Sequence, residues 1–447
     1  MRENLFSEDF MFGAATAAFQ IEGGANADGK GLSVWDVFCR HTDTVFNGAD
    51  GSGACNSYEL WKQDVELLKG LGADAYRFSI SWPRVLPEGT GRVNRKGMDY
   101  YKRLAATLRD NGIEPCVTLY HWDLPYELSL KGGLMNRDFA AWFTDYAALV
   151  AKELGSDVNL YFTFNEPLSV VGAGYGLGTF APGCKFGNGG SFPALHNLLL
   201  AHGDSARYLH AQGKRTAIVN CGDAPYPADE NDSALIEKAR EKTFACDYVW
   251  NCVNVFDPVF LGDYPKEFYE RFAWEAEHTV RDGDMKRICG NTDYCCMNHY
   301  SGFPVGWNER GEAEEVRRPQ GYPMMQTGWA MDTNGLFWLL KFLQERYRKP
   351  IMITENGMAC HDVPSADGGV HDEPRVEYFR RILHELHRAE NAGIDLRGYF
   401  VWSLLDNFEW LSGYSQRFGI TYVDYKTFAR TPKSSYYYLR DMFAQRK

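Results

Sequence analysis

The stretch PIMITENG, residues 350–357, is an apolar run that ends in the carboxylate of Glu355 and an Asn-Gly turn dipeptide. Its length and its near-continuous apolar residues predict a strand that is buried on both faces. Strands of this kind belong to parallel sheets, in which every strand ends at the same edge. If Glu355 has a function, we therefore expect other functional side chains at the ends of the other strands.

Seven further apolar runs have the same character, and each is followed by a loop and a segment with helical spacing. They begin at Phe10, Ala75, Glu114, Asn159, Thr216, Asp293 and Arg397. Between them, the stretches 58–72, 95–112 and 138–155 repeat apolar residues at helical intervals and end at a glycine. The chain thus predicts eight strands that alternate with helices.

Eight strands and helices in 447 residues predict a single domain, residues 1–447, built as a closed (β/α)8 barrel with long loops after the strands. The alternative is a doubly wound sheet. No Gly-x-Gly-x-x-Gly opens the first helix. Polar groups lie at the ends of almost all the strands instead of clustering at one crevice, so the barrel is favoured. Two long loops, 172–193 and 358–375, follow the fourth and seventh strands, where barrel enzymes build their sites.

The net charge and the cysteine content indicate which binding partners and which cellular compartment to expect. Lys plus Arg is 47 against 59 for Asp plus Glu, a net charge of -12 that disfavours nucleic acid and anionic membranes. Residues 1–24 carry polar groups where a signal peptide needs an apolar core. The 11 cysteines lack zinc-site spacing. We expect a soluble cytoplasmic protein without metal or cofactor, which binds a small neutral or cationic molecule. Assembly into a homo-oligomer is compatible with these features.

In a parallel barrel, the carboxyl ends of all the strands meet on one face. Seven of the eight predicted strands end in side chains able to bind a ligand there: Gln20 and Glu22, Arg77, His121 and Trp122, Asn165 and Glu166, Asn298 and Tyr300, Glu355, and Trp402 with Glu409 and Trp410. Taken singly, each has an ordinary explanation as a solvated strand end or a core aromatic residue. Seven such strand ends on one face of the barrel indicate a ligand-binding site.

The chemistry of this set suits a sugar. Amide, imidazole and carboxylate groups bind hydroxyls, and indole rings stack on sugar C–H faces. Two carboxyl groups are what glycoside hydrolysis requires, one to protonate the leaving oxygen and one to meet the anomeric carbon. Arg77 and Tyr300 suit an acid that must stay ionised, whereas burial or a second carboxylate suits one that stays protonated. The residues alone leave open which acid Arg77 contacts.

Several stretches together resemble glycoside hydrolase family 1, the β-glucosidases and their relatives. In chain order they are FGAATAAFQIEG, YRFSISWPRVLPEGTGRVNRKGMDYY, TLYHWDLP, TFNEP, GDYP, TENG, WSLLDNFEW and RFGITYVDY, and they cover nearly the whole chain. The resemblance implies a (β/α)8 barrel and a retaining, exo-acting hydrolase of terminal β-D-glucosyl residues. Its implied substrates are small β-glucosides and short cello-oligosaccharides, with a place in cellulose degradation.

The resemblance also implies individual roles. Glu355 matches the nucleophile and Glu166 the general acid/base, while Arg77 and Tyr300 lie against the nucleophile. Asn165 matches the residue that holds the sugar 2-hydroxyl. The other matches form the substrate pocket, with Tyr300 in its wall and Trp329 on the aglycone side: Gln20, His121, Trp122, Asn298, Trp402, Glu409 and Trp410.

Three alternatives were weighed against this interpretation. A 6-phospho-β-glucosidase is disfavoured because Glu409 is present, its carboxylate would repel phosphate, and residues 416–418 lack the expected Lys-x-Tyr pattern. A non-catalytic sugar-binding barrel is disfavoured because both acids are present. A metal-dependent hydrolase lacks a His-x-His or a cluster of strand-end ligands. His299 replaces a tyrosine common in the family, and we expect it to have a packing role.

Overall fold

The core of the computed structural model, which describes residues 6–7, 10–41 and 43–445, is a closed barrel of parallel strands. Neighbours in the chain are neighbours in the barrel, and β8 pairs with β1. The strands are β1 Met11–Ala15, β2 Ala75–Ser79, β3 Glu114–Tyr120, β4 Leu160–Asn165, β5 Arg215–Asn220, β6 Tyr294–Asn298, β7 Ile351–Asn356 and β8 Leu396–Trp402. The predicted barrel is confirmed, and the doubly wound alternative, which needs two free edges, is excluded.

A long helix follows each barrel strand and covers the barrel from outside. These helices are α1 Ser57–Leu71, α2 Arg95–Asp110, α3 Phe139–Leu154, α4 Phe192–Ala211, α5 Ser233–Thr243, α6 Gly335–Tyr347, α7 Glu373–Asn391 and α8 Ser434–Ala444. The three helices predicted from apolar spacing agree with α1, α2 and α3 to within about two residues, as expected where glycine ends the pattern.

Shorter elements build the connections. Brief helical segments are Ala18–Ile21, Ala27–Gly29, Val34–Phe38, Phe46–Gly48, Trp82–Val85, Tyr126–Ser129, Gly133–Met135, Gly155–Asp157, Ser169–Leu177, Gly187–Gly190, Cys252–Phe256, Asp257–Leu261, Lys266–Arg271, Ala273–Thr279, Asp284–Ile288 and Trp410–Ser412. Small peripheral strands are Pro225–Pro227, Phe303–Trp307, Ala313–Glu315, Thr421–Val423 and Arg430–Pro432.

Residues 1–5, 8 and 9 belong to the segment predicted to lack a secretion signal, and they lie outside the described part of the chain. Within that part, no helix is both long and apolar enough to cross a bilayer.

The barrel strands are apolar on both faces because each face packs against a different core. In β3, Cys116 belongs to the cluster inside the barrel, whereas Val117 and Leu119 belong to the larger cluster beneath the helices. The inner cluster combines small and large side chains, including Ala15, Ala75, Cys116, Leu160, Phe162, Ala217, Val219, Cys296, Met352 and Phe400. These small and large side chains together fill the barrel interior.

Phe400 of β8 lies beside Gly13, its partner on the neighbouring strand β1. A Cβ atom at Gly13 would lie 2.7 Å from the Phe400 ring and 2.6 Å from the carbonyl oxygen of Ala75, so only glycine fits at position 13. One large ring thus occupies the space that a side chain on β1 would otherwise take.

The strands that carry the two acids are irregular at their carboxyl ends. In β7, one extra residue separates the paired positions Ile353 and Glu355 relative to β6, and an extra residue also occurs opposite β8. In β4, the pairing with β5 shifts between Phe162 and Asn165. A bulge bends the strand and redirects the side chains that follow it. Both acids therefore leave the barrel at bends rather than in regular ladders.

Replacing Phe400 by alanine is expected to reduce the free energy of unfolding by about 3–5 kcal/mol, because it empties the centre of a closed core. Denaturant titration followed by near-ultraviolet circular dichroism measures the change. Phe46→Ala is the matched control: that ring is 56% exposed, and its loss should cost less than about 0.5 kcal/mol. Equal effects of the two substitutions would contradict the assigned packing.

Candidate active site

A cavity of about 770 Å³ opens at the carboxyl ends of the barrel strands. This volume lies within the range of pockets that hold drug-sized ligands. Most of the predicted site residues line it: His121, Trp122, Asn165, Glu166, Asn298, Tyr300, Trp329, Glu355, Trp402, Glu409 and Trp410. Gln20 contacts this set through Glu409, and Arg77 contacts it through Glu355.

Glu22 is a predicted strand-end residue that the structure places elsewhere. Its carboxylate accepts hydrogen bonds from Arg84 Nε at 2.7 Å and from the Tyr101 hydroxyl at 2.6 Å, both in the buried layer outside the barrel. The expectation that Glu22 joins the ligand site is therefore wrong. The short helix Ala18–Ile21 turns the chain between Gln20 and Glu22, and sequence spacing does not reveal that turn.

Both oxygens of the Glu355 carboxylate are bound by side chains. Arg77 Nη1 donates to Oε1 at 2.6 Å, and the Tyr300 hydroxyl donates to Oε2 at 2.8 Å. Arg77 is fully buried; its Nε donates to the Thr118 hydroxyl at 3.1 Å. The structure therefore answers the open question of which acid Arg77 contacts.

Burial is the largest influence on the Glu355 carboxyl and raises its pKa to about 7. Arg77 lowers this pKa, whereas the nearby charge of Glu166 raises it, and the hydrogen bond from Tyr300 lowers it. From the sequence, Arg77 is expected to favour the ionised form of whichever acid it contacts. Desolvation outweighs the ion pair, so the pKa of this carboxyl is raised although Arg77 contacts it.

Glu166 lies in the same cavity with both oxygens occupied. Asn298 Nδ2 donates to Oε1 at 2.7 Å, and the Ser169 hydroxyl donates to Oε2 at 2.7 Å. The Glu166 backbone has φ of +47°, a conformation uncommon outside glycine, which directs the side chain away from the line of β4. Ser169 was missed because Asn-Glu-Pro marks the chain as leaving the strand, without indicating that the next turn folds back.

A chain of hydrogen bonds fixes the orientation of the amides between the two acids. Arg77 has donors only, so the atom of Asn165 that it contacts at 2.7 Å is the oxygen. That oxygen also accepts from Asn298 Nδ2 at 3.1 Å, which leaves Asn298 Oδ1 to accept from the Thr354 hydroxyl at 2.8 Å. Asn165 Nδ2 contacts His121 Nε2 at 3.1 Å. The amides are thus ordered by the guanidinium.

Indole rings form one wall of the cavity. The Trp122 and Trp410 ring centroids lie 4.5 Å apart, and His121 stacks on Trp402 with its centroid at 5.8 Å. Trp122 Nε1 donates to the Asn165 carbonyl at 2.9 Å, which ties the wall to the strand that carries Glu166. Gly357 is required next to Trp402, since a Cβ atom there would lie 1.7 Å from the Trp402 carbonyl oxygen.

Glu409 is a third buried carboxyl group in the cavity. Gln20 Nε2 donates to it at 3.3 Å. Burial raises the pKa of Glu409 to about 8, and the charges of Glu355 and Glu166 add to this effect. A carboxyl group with a raised pKa carries less negative charge at neutral pH, so the repulsion of phosphate predicted from Glu409 is weakened.

The outer part of the cavity combines Trp329, predicted on the aglycone side, with residues that follow β5. Trp329 is 46% exposed and lies beside Tyr300, with centroids 5.5 Å apart. Cys221 and Asp223, which follow β5, also line the cavity, although no ligand residue had been predicted for the fifth strand. Asp223 lies three positions after the end of β5, so a prediction based on the last residues of each strand does not include it.

His299 is buried among the strand ends, 2% exposed, and burial lowers its pKa to about 4. It lies beside β7, where its backbone N–H donates to the Glu355 carbonyl at 2.9 Å. This position agrees with the packing role expected for it. Among the described residues, no group of three or more His, Cys, Asp or Glu side chains is arranged to hold a metal ion.

Known proteins match this chain over its whole length. The model of glycosyl hydrolase family 1 matches residues 2–447. β-Glucosidase A of Thermotoga maritima is 43% identical over 443 residues, which are 98% of this chain and 97% of the relative. The 1,4-β-D-glucan glucohydrolase of Thermotoga neapolitana is 42% identical over 438 residues, 97% of each chain.

Solved structures match equally well. A β-glucosidase from Thermotoga maritima in complex with deoxynojirimycin aligns with a TM-score of 0.88 and 41% identity, covering 99% of each chain. The fold and the family resemblance are confirmed by these matches.

Replacing Tyr300 by phenylalanine is expected to move the titration of Glu355 upward by roughly one pH unit from about 7, since it removes a hydrogen bond to the charged form. Carbon-13 NMR of labelled glutamate carboxyls, assigned with Glu355→Gln, measures the midpoint. Tyr161→Phe is the matched control, because that buried hydroxyl has no hydrogen-bond partner. An unchanged or lowered midpoint in Tyr300→Phe would contradict the assignment.

Proposed function

The chain belongs to glycosyl hydrolase family 1, and we propose that it is a retaining, exo-acting β-glucosidase that releases terminal non-reducing β-D-glucosyl residues. The observation that carries this proposal is the pair of buried acids in one cavity, with Glu355 bound by Arg77 and Tyr300 and with Glu166 bound by two neutral donors. One acid is thereby set up as an anionic nucleophile and the other as a group that gains and loses a proton.

In the first step, a Glu355 carboxylate oxygen attacks the anomeric carbon and forms a glycosyl ester. The bond from that carbon to the leaving oxygen breaks, and Glu166 gives its proton to that oxygen. Arg77 and Tyr300 hold the attacking carboxylate in place on a rigid strand end. Asn165, ordered by Arg77, contacts the 2-hydroxyl, where hydrogen bonds strengthen as charge develops.

In the second step, the Glu166 carboxylate takes a proton from a water molecule whose oxygen attacks the same carbon. The ester bond to Glu355 breaks and regenerates its carboxylate. Two displacements at one carbon leave the configuration unchanged. Indole faces exclude bulk water around the ester, which strengthens these interactions.

The shape of the cavity supports exo action on short substrates. The inner part of the cavity suits a single terminal sugar. It is surrounded by Gln20, His121, Trp122, Asn298, Trp402, Glu409 and Trp410. Trp329 and the outer cavity residues suit the aglycone. We infer that β-glucosides and short cello-oligosaccharides are the substrates, which gives the enzyme a place in cellulose degradation.

We also infer that residues 1–447 form one catalytic domain in a reducing cytoplasm, since all 11 cysteines are unpaired. The reaction as proposed uses protein side chains and water, and assembly into a homo-oligomer is compatible with it.

Glu355→Ala and Glu166→Ala are expected to differ in their response to azide. Each should lower kcat/KM on p-nitrophenyl β-D-glucoside, Glu355→Ala by at least about 10⁴-fold. In Glu355→Ala, azide attacks from the vacated face and yields the α-glucosyl azide. In Glu166→Ala, azide attacks the glycosyl ester and yields the β-anomer.

Nuclear magnetic resonance identifies the product anomer, and Glu59→Ala, at an exposed position, serves as the control. Exchanged anomers, or undiminished activity of Glu355→Ala, would contradict the proposed roles. Binding of glucosides without turnover by the parent protein would support the non-catalytic sugar-binding alternative instead.

The 6-phospho-β-glucosidase alternative predicts a cation for the phosphate. Among the described residues that line the cavity, Arg318 is the side chain with a permanent positive charge. It forms ion pairs with Asp332 Oδ2 at 3.2 Å and with Glu315 Oε1 at 3.3 Å. Arg417 pairs with Asp406 at 2.6 Å. A phosphate placed near Glu409 would remain unpaired.

The 6-phosphate of p-nitrophenyl β-D-glucoside is therefore expected to have a kcat/KM about 10²–10⁴-fold lower than that of the unphosphorylated glucoside, because an unpaired buried charge costs about 3–5 kcal/mol. Parallel initial rates on the two substrates measure the ratio. A ratio near or above one for the phosphorylated substrate would favour the alternative.

A further inference from the structure

The two oxygens of Glu166 are bound by partners with different chemical capacities. Oε1 accepts from an amide of Asn298, and Oε2 contacts the Ser169 hydroxyl, each at 2.7 Å. An amide nitrogen can only donate, whereas a hydroxyl can donate or accept. A group that alternates between acid and base needs partners for both of its states.

The amide orientation of Asn298 is set by contacts outside Glu166. Arg77 forces the Asn165 oxygen to face it, and that oxygen accepts from Asn298 Nδ2. The remaining Asn298 oxygen accepts from Thr354. Asn298 therefore presents an N–H to Glu166 Oε1 in either protonation state. A proton on that oxygen would compete with the Asn298 N–H for its lone pairs and weaken that hydrogen bond, so Oε1 is the less suitable oxygen to carry it.

Ser169 has the opposite property. It lies in the first turn of the segment Ser169–Leu177, close enough to fold its hydroxyl back onto Oε2. Its hydroxyl also contacts the Cys221 sulfur at 3.8 Å, across from β5. The hydroxyl can donate to Oε2 when Glu166 is ionised and can turn its hydrogen away when Oε2 is protonated.

From these contacts we propose that Ser169 is a positioning residue for Glu166, which makes Oε2 the oxygen that carries the catalytic proton. This inference rests on the acid/base role proposed for Glu166. In the first step, the proton leaves Oε2 for the leaving oxygen, and the Ser169 hydroxyl then donates to the carboxylate that remains. In the second step, Oε2 regains a proton from water, and the hydroxyl stops donating.

The titratable groups that face Glu166 come from four directions: Cys221 after β5, Tyr300 after β6, Glu355 on β7 and Glu409 after β8. Burial, followed by the charges of nearby acids, raises the pKa of the Cys221 thiol and that of the Tyr300 hydroxyl well above their usual values. Both stay neutral over the working range, so a change at Ser169 acts on Glu166 against a constant background from these two.

The test is the pH dependence of kcat/KM for Ser169→Ala and Ser169→Thr. Loss of the donor in Ser169→Ala destabilises the carboxylate, so the alkaline limb should move upward by about one pH unit. Ser169→Thr keeps the hydroxyl and should keep the limb of the parent. Ser205→Ala removes a buried hydroxyl that bonds only backbone carbonyls, and it serves as the control.

A second measurement separates positioning from general disruption. At the pH optimum, Ser169→Ala should lose about tenfold in kcat/KM on cellobiose, whose leaving group needs the proton. On 2,4-dinitrophenyl β-D-glucoside, whose leaving group does not need it, the loss should stay within about twofold. An unmoved alkaline limb, or equal losses on both substrates, would overturn the inference.

Glu166→Ala distinguishes this failure from failure of the proposed function. If Glu166→Ala loses more activity on cellobiose than on the dinitrophenyl glucoside while Ser169→Ala has no effect, only the role of Ser169 is wrong. If Glu166→Ala loses equally on both substrates, Glu166 is not the acid, and the proposed function fails with the inference.

Discussion

The ion pair between Arg77 and Glu355 is the interaction on which the site depends. Both side chains are nearly inaccessible, and burying two charges is costly unless the remaining donors and acceptors are satisfied. Arg77 meets that condition by contacting Thr118, the Thr354 carbonyl and Asn165 in addition to the carboxylate. The guanidinium therefore orders groups from strands β2, β3, β4 and β7 at once.

This arrangement also explains the electrostatic state of the cavity. Three carboxyl groups, Glu166, Glu355 and Glu409, share an enclosed space with one buried cation. Desolvation raises the pKa of Glu355 and of Glu409, and their mutual repulsion adds to it. Of these three carboxyl groups, only Glu355 accepts a hydrogen bond from the guanidinium, which stabilises its ionised form. The roles proposed for the acids thus follow from which of them contacts Arg77.

Backbone irregularity is concentrated at the same place. Trp122, Glu166 and Trp410 have positive φ, and β4 and β7 carry their register shifts beside the acids. Each such residue costs about 1–3 kcal/mol and persists only where packing holds it. The filled barrel interior supplies that packing, and the irregular ends aim side chains from separate strands into one cavity.

The sequence by itself determined the strand count, the main helices and most of the cavity residues, because these follow from apolar periodicity and from strand ends that share a face. Tertiary structure alone decided that Glu22 turns away to Arg84, that Arg77 contacts Glu355, and that Ser169 and Asp223 reach the cavity. Those outcomes depend on bends after the strands and on how deeply each carboxyl is buried. Both are set by packing between residues far apart in the chain, which local spacing does not encode.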